Sequence, residues 1–183
     1  MSSSPSILLV CTGNICRSPA AQLLMEQSLA PATGTRLSSA GTLATPGQSI
    51  AGPMASLLDD LGLRTNDFRS QRLSRDLIAR SDLILTMSRE HRSSVVALEP
   101  AALKRTFTLT EFARILSQGA PSGVTVMDLA QWAATQRSPV AAGRLDTTDD
   151  ITDPYGKNIR VYRQSLDQVR SAVDVVTDAL LAA

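Results

Sequence analysis

Cys11 and Arg17 are the two side chains whose spacing could do chemistry together. Five residues separate them in the run Cys11-Thr12-Gly13-Asn14-Ile15-Cys16-Arg17-Ser18-Pro19. A thiol reacts as its thiolate, and a guanidinium can fork two N–H donors onto two oxygens of one phosphate, which lysine cannot do. A short loop closing onto a helix mouth adds backbone N–H groups aimed at one point, together with the positive end of the helix dipole. Such a nest would hold a tetrahedral dianion with Cys11 at its base. There the positive field favours the thiolate and places it for in-line attack on phosphorus. Far along the chain, Asp149-Asp150-Ile151-Thr152-Asp153-Pro154-Tyr155-Gly156 reads as a turn that Pro154 would stiffen, of a kind common on surfaces and by itself no mark of a site.

The elements that must position these groups can be read from periodicity and punctuation. Ile7 to Val10 is branched and apolar, a buried strand ending at Cys11. Gly13 lets the loop turn. Ser18 is a good helix N-cap and Pro19 suits the first helical position. The helix is expected over about Pro19 to Leu29, with Ala20, Leu23, Leu24 and Gln27 on one face, and Pro31 and Gly34 ending it. Arg36 to Ala40, Asp82 to Thr86 and Thr106 to Leu109 read as three further strands. Helices are expected over Pro53–Leu61, Ser74–Arg80, about Ser88–Leu98 (stopped by Pro100) and Glu111–Leu116. In the last helix Ile159, Tyr162, Leu166, Val169, Val173, Val176 and Leu180 recur at steps of three and four, an apolar stripe for packing against the sheet. Alternating strands and helices imply an α/β fold, a parallel doubly wound sheet with its ligand site at the carboxyl ends of the strands, where the Cys11 loop falls. Gln118 to Thr148 is the least regular stretch. It reads as an extended surface segment with a short helix around Met127 to Ala134 and Trp132 as a core or interface anchor. His91, between Glu90 and Arg92, reads as a solvated surface residue.

Composition bounds the function classes. The 183 residues suit one domain spanning 1–183, and 18 Lys and Arg against 17 Asp and Glu give a net charge of +1. That balance makes no case for nucleic acid or an anionic membrane as a partner. The start, Met1 to Ser6, is polar, and the apolar stretch behind it is too short for a signal peptide. Both cysteines sit in the candidate loop, which fits a reducing cytoplasm better than a disulfide framework. With one histidine besides, they cannot make a closed four-ligand zinc site, so no metal is expected. Lysine occurs only at Lys104 and Lys157 among many arginines, the usage of a GC-rich bacterial genome.

The string Cys-Thr-Gly-Asn-Ile-Cys-Arg-Ser-Pro after an N-terminal strand closely resembles the phosphate loop of the low-molecular-weight protein tyrosine phosphatases. Asp-Pro-Tyr-Gly before the C-terminal helix resembles their general-acid loop. The resemblance implies a four-stranded parallel sheet flanked by helices and a hydrolase needing no cofactor. It also implies a cysteinyl-phosphate intermediate on Cys11, with Arg17 as clamp and Asp153 as general acid. The loop Thr12, Gly13, Asn14, Ile15, Cys16, Arg17 and Ser18 would bind phosphate. Asn14, Ser18 and Ser39 (in Ser38-Ser39-Ala40-Gly41-Thr42) would support it, and Ile15, Leu43 and Tyr155 would line the cleft. Cys16 would form a reversible disulfide with Cys11 under peroxide. Phe68 stands where the family usually has His in the support network, which leaves open how Asn14 and Ser18 are held. The implied partners are a phosphotyrosine protein, such as a bacterial tyrosine kinase, and inorganic phosphate as product and inhibitor.

Other readings use the same loop. A small-thiol-dependent arsenate reductase needs no further cysteine. A protein arginine phosphatase typically has Thr at the Ile15 position, whereas Ile15 and Tyr155 offer a flat phenyl ring an apolar cleft. A catalytically silent phosphotyrosine-binding module would have little use for Cys11 and Asp153 together with Arg17.

Overall fold

Branched apolar residues favour the pleated, doubly covered centre of a sheet. Ile7, Leu8, Leu9 and Val10 are all buried there. The computed structural model describes residues 4–137 and 149–182. Strands β1 (Ser6–Cys11), β2 (Arg36–Gly41), β3 (Leu83–Thr86) and β4 (Thr106–Thr108) form one parallel sheet in the order β2-β1-β3-β4. The chain leaves β1 for β2 on one side and returns to β3 on the other, so the order reverses between β1 and β3. Their carboxyl ends make the crevice in which such sheets bind ligands. Val10 pairs with Ala40 and Thr86, and Cys11 with Gly41, at that end.

Alternate residues of β1 enter different cores. Ile7, Leu9 and Cys11 pack with α1 (Arg17–Thr33), α2 (Gly52–Asp59), α5 (Leu109–Leu116), α6 (Val126–Thr135) and α7 (Ile159–Leu181). Leu8 and Val10 pack on the other face with Ile78 of α3 (Arg75–Ala79), Val95 of α4 (Arg89–Leu98) and Ala102 of a 3-10 segment, Pro100–Arg105. Thr108 caps α5 and Thr125 caps α6, each through a reciprocal capping box. Among the described residues no helix is long and apolar enough to cross a membrane.

Several local expectations are corrected. Helix α1 runs through Pro31 to Thr33 and ends at Gly34, whose φ is 66°. Past the proline, the last turn is held by buried Leu29 and by Thr33 Oγ1 donating to the Leu29 carbonyl. The inward face of α1 is Ala20, Ala21, Met25 and Leu29, while Gln27 is exposed. Helix α7 has its stripe as expected from Tyr162 to Leu180, but it lies against α1 and α5 rather than on the sheet, and Ile159 is exposed. Gln118 to Arg137 is not an extended surface segment. Helix α6 buries Val126, Leu129, Ala130 and Ala133 in the main core, and half-buried Trp132 packs against the same cluster. The remainder of that expected segment, 138–148, lies outside the described residues.

Candidate active site

Cys11 ends β1, and Arg17 opens α1, so the five residues between them must reverse the chain at the sheet's carboxyl edge. The left-handed residue that accomplishes this is Asn14, with φ 55°, rather than Gly13. An asparagine tolerates that region when its side chain is bonded locally, and Asn14 is fully buried and fully engaged. Nor does Ser18 cap the helix. Cys16 occupies the cap position without a side-chain bond, and Ser18 and Pro19 follow inside the first turn. Among the described residues the amides of Gly13, Ile15 and Cys16 find no protein acceptor. The helix mouth therefore keeps its donors for an anion.

A directed network holds the loop. The Gln71 backbone N–H donates to Asn14 Oδ1 at 2.8 Å, which fixes the orientation of the amide. Asn14 Nδ2 then donates to Ser18 Oγ at 2.9 Å and to Ser39 Oγ at 2.8 Å. The Ser39 hydroxyl donates to Gln22 Oε1 at 2.6 Å, and Gln22 Nε2 donates to Glu26 Oε1 at 2.8 Å. Ser18 Oγ, already accepting from Asn14, has its own hydrogen left for Cys11 Sγ, 3.0 Å away. The Asn14 N–H donates to the same sulfur at 3.2 Å. Two donors thus converge on the sulfur and fix its place at the base of the loop. Phe68 takes no part in this. It is half-buried against the core, and Gln71 and Gln22 carry the support instead. Neither glutamine is marked by a local signal in the sequence.

Arg17 is buried but for 5% of its surface. Nη1 donates to the Ile151 carbonyl at 3.2 Å, and Nη2 reaches Thr12 Oγ1 at 3.3 Å and the Asp153 carboxylate at 2.8 Å. Nε is buried with no partner among the described residues, an orphaned donor whose cost a phosphate oxygen would relieve. Asp153 is half exposed, and its carboxylate accepts from the Tyr155 N–H at 3.2 Å, which turns it toward the loop. The whole segment is tied down where Ile151 N–H donates to the Met87 carbonyl and Asp150 accepts from the Arg89 N–H.

Gly41 supplies a close approach. A Cβ there would stand 2.5 Å from the Thr12 carbonyl and 2.8 Å from the Asn14 nitrogen. The next residues bond straight onto the loop, Thr42 N–H to the Cys11 carbonyl and Leu43 N–H to the Thr12 carbonyl, each at 2.9 Å. Leu43 and Tyr155, both well exposed, and Ile15 line a cavity of about 280 Å³ together with buried Cys11 and Arg17 and half-exposed Asp153. A larger hollow of about 890 Å³ lies between the 3-10 segment and α6, and its lining holds no thiol.

His91 is not a solvated surface residue. It is 4% exposed, with Nε2 2.8 Å from Thr12 Oγ1 and Nδ1 2.8 Å from Ser88 Oγ. Burial, then the Arg17 charge, push it down to about 4, against the opposing pull of Asp153 and Asp150. Cys16 is a buried free thiol pushed up to about 12 by burial and by Cys11.

Several known proteins resemble this chain. A sequence model described as low molecular weight phosphotyrosine protein phosphatase matches residues 6–120. A protein-arginine-phosphatase of Geobacillus stearothermophilus is 30% identical over 95% of this chain and 95% of its own length. A probable low molecular weight protein-tyrosine-phosphatase of Ralstonia nicotianae is 28% identical over 92% of this chain and 91% of its own. The solved structure of the tyrosine phosphatase AmsI of Erwinia amylovora superposes with a TM-score of 0.72 at 25% identity, covering 98% of this chain and 95% of that one.

Proposed function

The chain belongs to the low molecular weight phosphotyrosine protein phosphatase family, and from that premise we propose that it hydrolyses phosphotyrosine in proteins through a cysteinyl-phosphate intermediate on Cys11. The observation that carries the reading is the convergence on one cavity of the Cys11 sulfur, the buried Arg17 fork and the Asp153 carboxyl. The substrate phosphate sits among the loop amides from Thr12 to Ser18, with Arg17 on its oxygens. The Cys11 thiolate attacks phosphorus in line, and the P–O bond to the phenol breaks. Asp153, protonated, gives its proton to the departing oxygen. Water then attacks the phosphocysteine, passing a proton to the Asp153 carboxylate as the S–P bond breaks. Ser18 and the Asn14 N–H receive the returning thiolate. Developing negative charge is met by Arg17 and the amides throughout.

Tyrosine is favoured over arginine by the walls. Ile15, Leu43 and the ring of Tyr155 offer apolar faces to a phenyl ring, and Ile15 brings no hydroxyl to a phosphoguanidine. The arginine phosphatase relative spanning nearly the whole chain supports the second reading. Peptides carrying phosphotyrosine or phosphoarginine decide between them. Wild type is expected to prefer phosphotyrosine in kcat/KM, with Ile15→Thr moving the ratio toward phosphoarginine. A wild-type preference for phosphoarginine would reverse the assignment. The substrates are phosphoproteins, a bacterial tyrosine kinase among the fitting partners, with inorganic phosphate as product and competitive inhibitor. The two free thiols suit a cytoplasmic site of action.

A further inference from the structure

The buried histidine is a titratable group that the mechanism above does not use. Its surroundings form an unbroken chain from the start of α4 to the phosphate clamp. Ser88 caps α4, its Oγ accepting from the His91 N–H at 3.3 Å and standing 2.8 Å from Nδ1. His91 Nε2 stands 2.8 Å from Thr12 Oγ1, and Thr12 Oγ1 accepts from Arg17 Nη2 at 3.3 Å. In the neutral ring with its proton on Nδ1, every group has a role. Nδ1–H donates to Ser88, Nε2 accepts from the Thr12 hydroxyl, and the Thr12 oxygen turns its lone pairs to Arg17. A charged ring would donate at both nitrogens and set a second cation beside Arg17 in a buried site.

Thr12 has no other fixed side-chain partner among the described residues. Its rotamer, and with it the oxygen on which Nη2 rests, depends on His91. The strand order places His91 to do this, because β1 and β3 are neighbours and their carboxyl-end turns face each other across the crevice.

We propose that His91 is a positioning residue for Arg17: through the Thr12 hydroxyl it fixes the guanidinium in the orientation that receives phosphate. The proposal rests on the phosphatase reading, and its test separates the two. Turnover of p-nitrophenyl phosphate and, independently, the dissociation constant of inorganic phosphate by titration calorimetry are measured. The proteins are wild type, Thr12→Val, His91→Phe and the double variant. One neutral hydrogen bond is worth about tenfold. Each single variant is expected to lose about that in kcat/KM and to weaken phosphate several-fold. The double variant is expected to lose about the same tenfold as either single change, not about a hundredfold, because both changes break one chain. His91→Gln can set an amide near the place of Nε2 and is expected to stay within about threefold of wild type. Additive losses in the double variant overturn the proposal, as does His91→Phe matching wild type in both readouts. Should His91→Phe fail to fold, His91→Gln decides, and impairment equal to that of Thr12→Val overturns it. If wild type shows no turnover, the phosphatase reading falls, while the phosphate constants still judge the positioning.

Discussion

The Asp153 carboxylate lies 2.8 Å from Arg17 Nη2, a half-exposed acid resting on a buried base. In the mechanism proposed above, a phosphate dianion on the Arg17 fork would compete for that same donor and free the carboxyl for the leaving oxygen. Asp153→Asn keeps the shape but carries no transferable proton. It is expected to lower kcat on an aryl phosphate by about a hundredfold or more, the usual worth of a general acid. Stopped-flow assay on substrates of differing leaving-group pKa checks this, since the loss should shrink for the better leaving groups. Unchanged kcat would move the acid role elsewhere.

Gly41 is predicted to be a site where the smallest enlargement is costly. A methyl group there meets the Thr12 carbonyl at 2.5 Å, and that contact is backbone, which cannot swing aside. Gly41→Ala is expected to cost about 1–3 kcal/mol in denaturant unfolding, as overpacking does. Phosphate affinity should fall with it, because the displaced atoms belong to the loop. An alanine variant with wild-type stability and affinity would show that the loop yields freely.

His91 makes acid stability a test of its burial. Its ordinary value is about 6.5 and the folded value about 4. Between those values the unfolded chain binds a proton that the folded protein refuses. Stability is therefore expected to fall as pH drops from about 6.5 to 4, by up to about 1.4 kcal/mol per pH unit from this group. Unfolding curves of wild type and His91→Gln at successive pH values check it, and the variant should show the shallower slope. Equal slopes would mean that the ring is charged in the folded state.

Cys16 carries the opposite dependence. Held up at about 12 against an ordinary value near 9, it keeps its proton when the unfolded chain has lost it. Stability should decline as pH rises from about 9 to 12, and less so in Cys16→Ala. We propose that Cys16 also resolves a Cys11 sulfenic acid, its thiol displacing water to leave a disulfide. So high a value makes closure slow at neutral pH and faster with each added unit. After mild peroxide and then dithiothreitol, wild type should recover activity and Cys16→Ala should recover less. Equal recovery would remove the protective role.

Much of this architecture was legible because it is written locally. The Ile7–Val10 run, the Cys-x5-Arg loop and the stripe of α7 each carry their signal within a few turns of chain. Local signals mislead where distant contacts decide. Ser18 looks like a helix cap, but its hydroxyl is claimed by Asn14 and Cys11. Gln22 and Gln71 meet Ser39 only after β2 is laid beside β1, so no spacing announces them. The stretch before Arg137 is rich in turn residues, yet α6 within it buries an apolar face against the core. His91 had one readable sign. It stands three residues after the Ser88 cap, where a capping box would have Glu or Gln, and its ring bonds the cap's hydroxyl rather than its backbone N–H.

The most direct test of the central claim is metal-free turnover of p-nitrophenyl phosphate with EDTA present, wild type beside Cys11→Ser. The account predicts steady release of p-nitrophenol by wild type and none above background in the variant, which keeps the loop but lacks the thiolate. Comparable turnover in Cys11→Ser, or none in wild type, would contradict it.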